Sequence, residues 1–150
     1  MIYRYSFYLI AIFSFCNCKD NNENYNYYIP EGPVNFSINT DLPQYYYLKN
    51  PGTYLYHEGG NRGVILVHNY DDNFLALERT CSFEPDKTCS YISVDSTTLT
   101  LRCGKTVNGK WEQCCSSKFM LGGEVSNGPA AYNLRQYYTQ KNGSVISVIN

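Results

Sequence analysis

The residues with most chemistry to offer are five cysteines in the second half of the chain. Cys81 and Cys89 frame Cys81-Ser-Phe-Glu-Pro-Asp-Lys-Thr-Cys89, and Cys103, Cys114 and Cys115 frame Cys103-Gly-Lys-Thr-Val-Asn-Gly-Lys-Trp-Glu-Gln-Cys114-Cys115-Ser-Ser-Lys-Phe119. Thiolates grouped in this way can hold a soft metal or an iron–sulfur cluster, and thiols so placed can pair as disulfides. Other candidate groups are sparse. The chain has only 2 histidines, His57 and His68, both upstream of either cysteine segment. A lone histidine in an apolar strand, as at His68, is expected to be a packed or edge residue and not a ligand. Asp71-Asp72 falls in a turn, where aspartate serves the backbone, and Glu78 and Glu84 stand isolated. There is no Gly-x-Ser-x-Gly elbow, phosphate loop or His-Glu-x-x-His, so no catalytic residue is assigned and an enzyme is not expected.

The elements that must position the cysteines read as β throughout. With 16 tyrosines, 6 prolines and 11 glycines among 150 residues and few long helix-forming runs, an all-β domain rich in turns is expected. Residues 34–39 alternate with period two and should turn Val34, Phe36 and Ile38 inward. Residues 42–48 and 54–57 flank a Pro51-Gly52 turn, and residues 64–68 form a buried strand. A turn at 69–73 leads into residues 74–79, which deliver the chain to Cys81. Residues 91–95 and 98–102 pair around Ser96-Thr97, and the second of these strands ends at Cys103, so each cysteine loop hangs on a strand end. Asn108-Gly109 predicts a small protruding hairpin between Cys103 and Cys114. Residues 118–121 and 124–126 form another hairpin across Gly122-Gly123, and residues 134–140 and 144–149 close the domain around Asn142-Gly143. No repeat of 20 to 50 residues is visible.

Two cysteine loops at strand ends, the second running into Ser116-Ser117-Lys118-Phe119, then Gly122-Gly123, then Ser126-Asn-Gly-Pro-Ala130, resemble the cluster-binding part of Rieske proteins. The resemblance covers about residues 63–150. It implies a small antiparallel β-sandwich or barrel with both cysteine loops at one tip. Family loops read Cys-x-His and Cys-x-x-His-Gly-Ser. By that alignment Cys81 takes the first ligand cysteine and Phe83 stands at the first histidine; Cys103 takes the second cysteine if the Asn108-Gly109 hairpin is an insertion into the loop, and Cys115 stands at the second histidine. Both histidines are therefore missing, and with them the imidazole ligation that raises a Rieske potential. Cys89 and Cys114 fall where the family's loop-clipping disulfide has its partners.

Two readings of the cysteines follow. In the first there is no cofactor and no metal: Cys89 pairs with Cys114, Cys81 pairs with Cys103 or Cys115, and one thiol is left over. In the second, Cys81, Cys103, Cys114 and Cys115 hold an all-thiolate [2Fe–2S] cluster and the chain carries electrons. An exported location favours disulfides, because a reduced set would have to survive an oxidising compartment and be loaded before export.

That location is read from the N-terminus. Arg4 precedes an apolar run over 7–15 that is shorter than the roughly 20 residues a membrane span needs. Phe15-Cys16-Asn17-Cys18 and the polar segment after it resemble the lipobox and tether of Gram-negative lipoproteins, with Cys18, or alternatively Cys16, as the acylated residue. The expected organisation is a signal peptide over 1–17, a tether over 18–33 and a β domain over 34–150, held by its acyl chains on the outer membrane, facing the periplasm or the cell surface. With 12 basic against 13 acidic residues and no basic run, nucleic acid is not a partner. Tyr25, Tyr27 and Tyr28, Tyr45 to Tyr47, and Tyr54 with Tyr56 could present an aromatic surface to a protein or glycan partner.

Overall fold

The structure, a computed structural model, describes residues 28–150. The signal peptide, Cys16, Cys18, Tyr25, Tyr27 and most of the tether lie outside the described residues. Ten strands form two antiparallel sheets. The first sheet contains β1 (Asn35–Asn39), β2 (Tyr54–His57), β3 (Val64–His68), β4 (Phe74–Glu78), β9 (Gln136–Asn142) and β10 (Val145–Ile149), in the order β1-β10-β9-β4-β3-β2. The second contains β5 (Ile92–Asp95), β6 (Thr100–Val107), β7 (Lys110–Phe119) and β8 (Val125–Asn127), in sequence order. A single bridge between Thr80 and Tyr91 links the end of β4 to the start of β5.

The uninterrupted apolar run of β3 is explained by two cores. Ile65 and Val67 join a cluster with Leu77, Ile92, Leu101 and Phe119, which also contains Cys81 and Cys103. Val64 and Leu66 face the opposite way, into a cluster with Val34, Ile38, Leu48, Ala76 and Val148. A strand covered on both faces has no solvent side to make polar, so alternation disappears. In β1 the expected inward set is Val34, Phe36 and Ile38. Val34 and Ile38 are buried, whereas Phe36 is half-buried and stacks on the His57 ring at 3.7 Å between centroids.

The segment before the Pro51-Gly52 turn is a short 3-10 helix, Pro43–Lys49. Pro43 supplies a pre-set helical φ at its first turn, and Leu48 is fully buried as its anchor while Tyr46 and Tyr47 stay exposed. One correction is needed, in the second cysteine loop. Strand β6 does not end at Cys103 but runs on to Val107, and Asn108 and Gly109, both with positive φ, turn it into β7. The Asn-Gly hairpin is therefore the tip of a continuous β6–β7 ladder and not an insertion into a loop.

Candidate functional site

The first cysteine segment is set by a buried carboxylate. Glu78, fully buried at the end of β4, accepts hydrogen bonds from Asn61 N at 2.8 Å, Arg62 N at 3.0 Å, Thr80 N at 2.8 Å, Thr80 Oγ1 at 2.8 Å and the Tyr137 hydroxyl at 2.5 Å. These bonds compensate the desolvated charge and tie the 59–63 turn, β9 and the residue just before Cys81 to one point. Gly60, at φ 62°, is required there, since a Cβ would collide with the Glu78 carboxylate and the Tyr137 hydroxyl. Burial and the neighbouring carboxylate both raise the Tyr137 pKa, burial the more strongly.

Beyond Cys81 the chain doubles back through Glu84, which has positive φ, and Cys81 N donates to Ser90 O at 3.2 Å. The Arg62 guanidinium holds this loop from outside, donating to the carbonyls of Pro85, Lys87 and Thr88 at 2.8 to 3.2 Å. Neither Glu78 nor Arg62 carries a linear motif. The clustered glycines of the 59–63 turn are the one sequence signal that a backbone must pass close to something there.

The second cysteine segment is a bulge. Arg102 pairs with Lys118 and Gly104 pairs with Gln113, so Cys103 alone stands opposite the four residues Cys114, Cys115, Ser116 and Ser117. An expanded bulge of this kind re-aims side chains out of the ladder. It turns Cys115 toward Cys103 and Cys81. The Gly128-Pro129-Ala130 segment lies against it: Ala130 N donates to Ser117 Oγ at 3.1 Å, and a Cβ on Gly128 would press into Ser117 Cα at 2.5 Å and Ser116 O at 2.6 Å.

Within this frame Cys89 and Cys114 form a disulfide that clips the first loop to the bulge, with a Cα separation of 5.3 Å across 25 residues. Closing a loop of that length contributes about 3 kcal/mol by chain entropy. The second disulfide expected of Cys81 with Cys103 or Cys115 is not formed. All three are free thiols, their sulfur atoms within 4.8 Å of one another and Cys81 Sγ 3.9 Å from Cys115 Sγ, well beyond a sulfur–sulfur bond. The four-cysteine ligand set loses Cys114 for the same structural reason, because that sulfur is already bonded to Cys89.

Cys81 is 0% and Cys103 is 1% exposed, with Cys115 half-buried. Cys115 Sγ donates to Ser117 Oγ at 3.2 Å and accepts from Ser117 N at 3.4 Å. The Cys81 pKa is lowered to about 7, chiefly by the hydrogen bond from Cys103, with help from Phe83 N–H, Cys115 and Ser90 and against the opposing effect of burial. Cys103 is driven up, first by its hydrogen bond to Cys81 and then by burial. Between these two the proton is shared unequally: the Cys81 thiolate is favoured and Cys103 stays protonated as its donor.

The residues at the family's histidine positions are both here. Phe83 packs against the core cluster beside the cysteines, and Cys115 is one of the three thiols. Neither histidine of the described chain joins them. His68 is buried between Leu48 O at 2.8 Å and Asp72 at 2.9 Å, as a packed strand residue, and His57 is occupied by Phe36 and Glu58 O. Asp71 and Asp72 sit in the turn before β4, with Asp71 accepting from Asn73 N at 3.1 Å. A Rieske centre places two histidines on one iron, and these residues offer thiols only, so the donors present do not fit it.

The tyrosines divide into separate groups. Tyr46 and Tyr47 lie exposed on the 3-10 helix, whereas Tyr56 is engaged under Arg79, at 4.1 Å from its ring centroid, and accepts from Val94 N.

No family model matches the chain, and no curated protein matches it significantly. Among solved structures it is similar to the plasma membrane Rieske protein PetC3 of the cyanobacterium Synechocystis PCC 6803, at 23% identity with a TM-score of 0.52, covering 77% of this chain and 97% of that one. It also matches the ferredoxin of carbazole 1,9a-dioxygenase from Nocardioides aromaticivorans IC177, at 18% identity with a TM-score of 0.47, covering 77% of this chain and 95% of that one. The nearly all-β chain, with its curled antiparallel sheets and cysteine-bearing tip, has a Rieske-like fold.

Proposed function

We propose that this chain is an envelope lipoprotein whose Rieske-like domain works without a [2Fe–2S] cluster, as a binding or assembly module and not as an enzyme. The observation that carries this reading is the donor set at the tip. Phe83 can give nothing to iron, and Cys114 is held by Cys89, so the fold's cluster position is left with three thiols and no imidazole. The disulfide and the Glu78 cage still support the loops, so the tip keeps its shape for contact with a partner. The acyl anchor, on Cys18 or Cys16, rests on the N-terminal sequence and accords with the membrane location named for the cyanobacterial neighbour. The partner would be a protein or a glycan, for which the exposed Tyr46 and Tyr47 offer aromatic surface.

Visible absorption of the purified chain, with iron and acid-labile sulfide assays, tests the reading. A colourless protein without iron is expected. A brown protein with two irons per chain would replace it with an electron carrier of unusual ligation. For the anchor, mass spectrometry of the N-terminus should find an acylated Cys18. An unmodified N-terminus starting beyond Cys18 removes the lipoprotein assignment.

A further inference from the structure

We propose that Cys81, Cys103 and Cys115 form a mononuclear site for one thiophilic d10 cation, Cu(I) or Zn(II), bound at the tip where the fold's cluster would lie. A single ion with metal–sulfur bonds of about 2.3 Å holds its thiolates about 3.8 Å apart in a tetrahedral arrangement and about 4.0 Å apart in a trigonal one. Cys81 and Cys115 already stand 3.9 Å apart, and the three sulfurs lie within 4.8 Å of one another. Ligands to opposite irons of a binuclear cluster are spread more widely than ligands to one ion. The Cys81–Cys115 distance is that of two ligands on one ion, and Cys103 lies near enough to close on it with a small side-chain shift.

The surroundings suit a thiolate-bound cation. Cys81 and Cys103 are buried and Cys115 is half-buried, so two ligands are fixed by the core and the third faces an entry. That entry is a pocket of about 70 Å³ bordered by Cys103, Cys115 and Ser117, wide enough for an ion and one small further ligand. Arg102, ion-paired with Asp95 at 3.3 Å, and Lys118 also line it, and Lys118 adds a positive charge beside a thiolate-rich complex. Ser117 N donates to Cys115 Sγ, an outer bond of the type that orients metal ligands. Thiolate donors and a three-ligand geometry select soft d10 ions over hard cations. The ion replaces one proton on each thiol that ligates it, and these protons pass to solvent, so no electron transfer is involved. The disulfide Cys89–Cys114 stays intact and holds the bulge over the site.

The test is a titration of the anaerobically prepared full chain, free thiols counted and the disulfide retained, with Co(II) as the spectroscopic stand-in for Zn(II) and separately with Cu(I). Thiolate-to-cobalt charge-transfer bands that saturate at one ion per chain and disappear on adding Zn(II), or Cu(I) binding at the same stoichiometry, are the expected result. Loss of one outer partner typically weakens metal binding about 10- to 100-fold, so Cys115→Ser should weaken it at least about tenfold. Cys115 is the least buried of the three, and the emission of Trp111 reports whether that variant keeps its fold. Absence of binding of both ions, unchanged binding in Cys115→Ser, or a Cys81–Cys115 disulfide in the chain as isolated would overturn the proposal. A chain containing iron and sulfide would defeat both this proposal and the cluster-free function. An iron-free chain that binds neither ion defeats this proposal alone.

Discussion

At the scale of single residues, the tip is controlled by a carboxylate that no motif announces. Glu78 is fully buried with five donors around it, and the Tyr137 hydroxyl is the one contributed by the neighbouring strand β9. Removing it in Tyr137→Phe should cost about 2 kcal/mol at neutral pH, the usual worth of a hydrogen bond to a buried charge. The pH dependence has a definite sign. Folding raises the Tyr137 pKa above its ordinary value of 10.0, so the contribution of its neutral form is complete below pH 10.0 and is lost as pH climbs toward the folded value. Thermal midpoints measured from neutral to strongly alkaline pH should therefore fall more steeply above pH 10.0 in the parent than in Tyr137→Phe. Parallel slopes would show that Tyr137 does not titrate against Glu78.

At the scale of elements, two pieces of irregular chain are held in register by neighbours distant in sequence. The loop from Cys81 to Ser90 is fastened by Arg62, and the bulge at residues 114–117 by the disulfide and by Ala130 N. Loops held by side chains open locally when those side chains are cut back. Arg62→Met keeps much of the apolar stem but loses the bonds to Pro85, Lys87 and Thr88, so the amides of Lys87 and Ser90 should exchange with deuterium faster while those of β3 stay protected. Exchange that is unchanged at Lys87 and Ser90 would mean the loop is held without Arg62.

The same two pieces show what can be read from a sequence and what cannot. Strand positions, the Asn108-Gly109 turn and the buried run of β3 follow from periodicity and turn chemistry, which act over a few residues. The extension of β6 through Cys103 is not legible in the sequence, because the apolar alternation stops at Arg102 and Gly104 interrupts the segment that continues the strand. That glycine sits at the bulge, where a Cβ would collide with Glu112 O and meet Trp111 at 2.7 Å. The 3-10 helix is not legible in the sequence, because three consecutive tyrosines favour strand by propensity while Pro43 and the buried Leu48 decide otherwise through tertiary packing. The three-thiol grouping is likewise a product of tertiary register. It depends on one residue of β6 facing four of β7, which spacing along the chain does not encode.

At the scale of the whole molecule, a Rieske-like scaffold packs its two sheets around a core, and the β4–β5 loop and the β6–β7 bulge form a tip built from one disulfide and three thiols. The Glu78 cage, the Arg62 clamp and the disulfide each fix the loops from the protein side. The state of the five cysteines is the point on which the function and the metal proposal both turn. It can be mapped by alkylating the anaerobically purified chain under denaturing conditions without reductant and identifying the cysteine peptides by mass spectrometry. The expected result is a peptide pair linked through Cys89 and Cys114, with Cys81, Cys103 and Cys115 all alkylated. Alkylation of Cys114 together with Cys81, Cys103 and Cys115 would contradict it, since four reduced cysteines at the tip are the ligand set of a cluster.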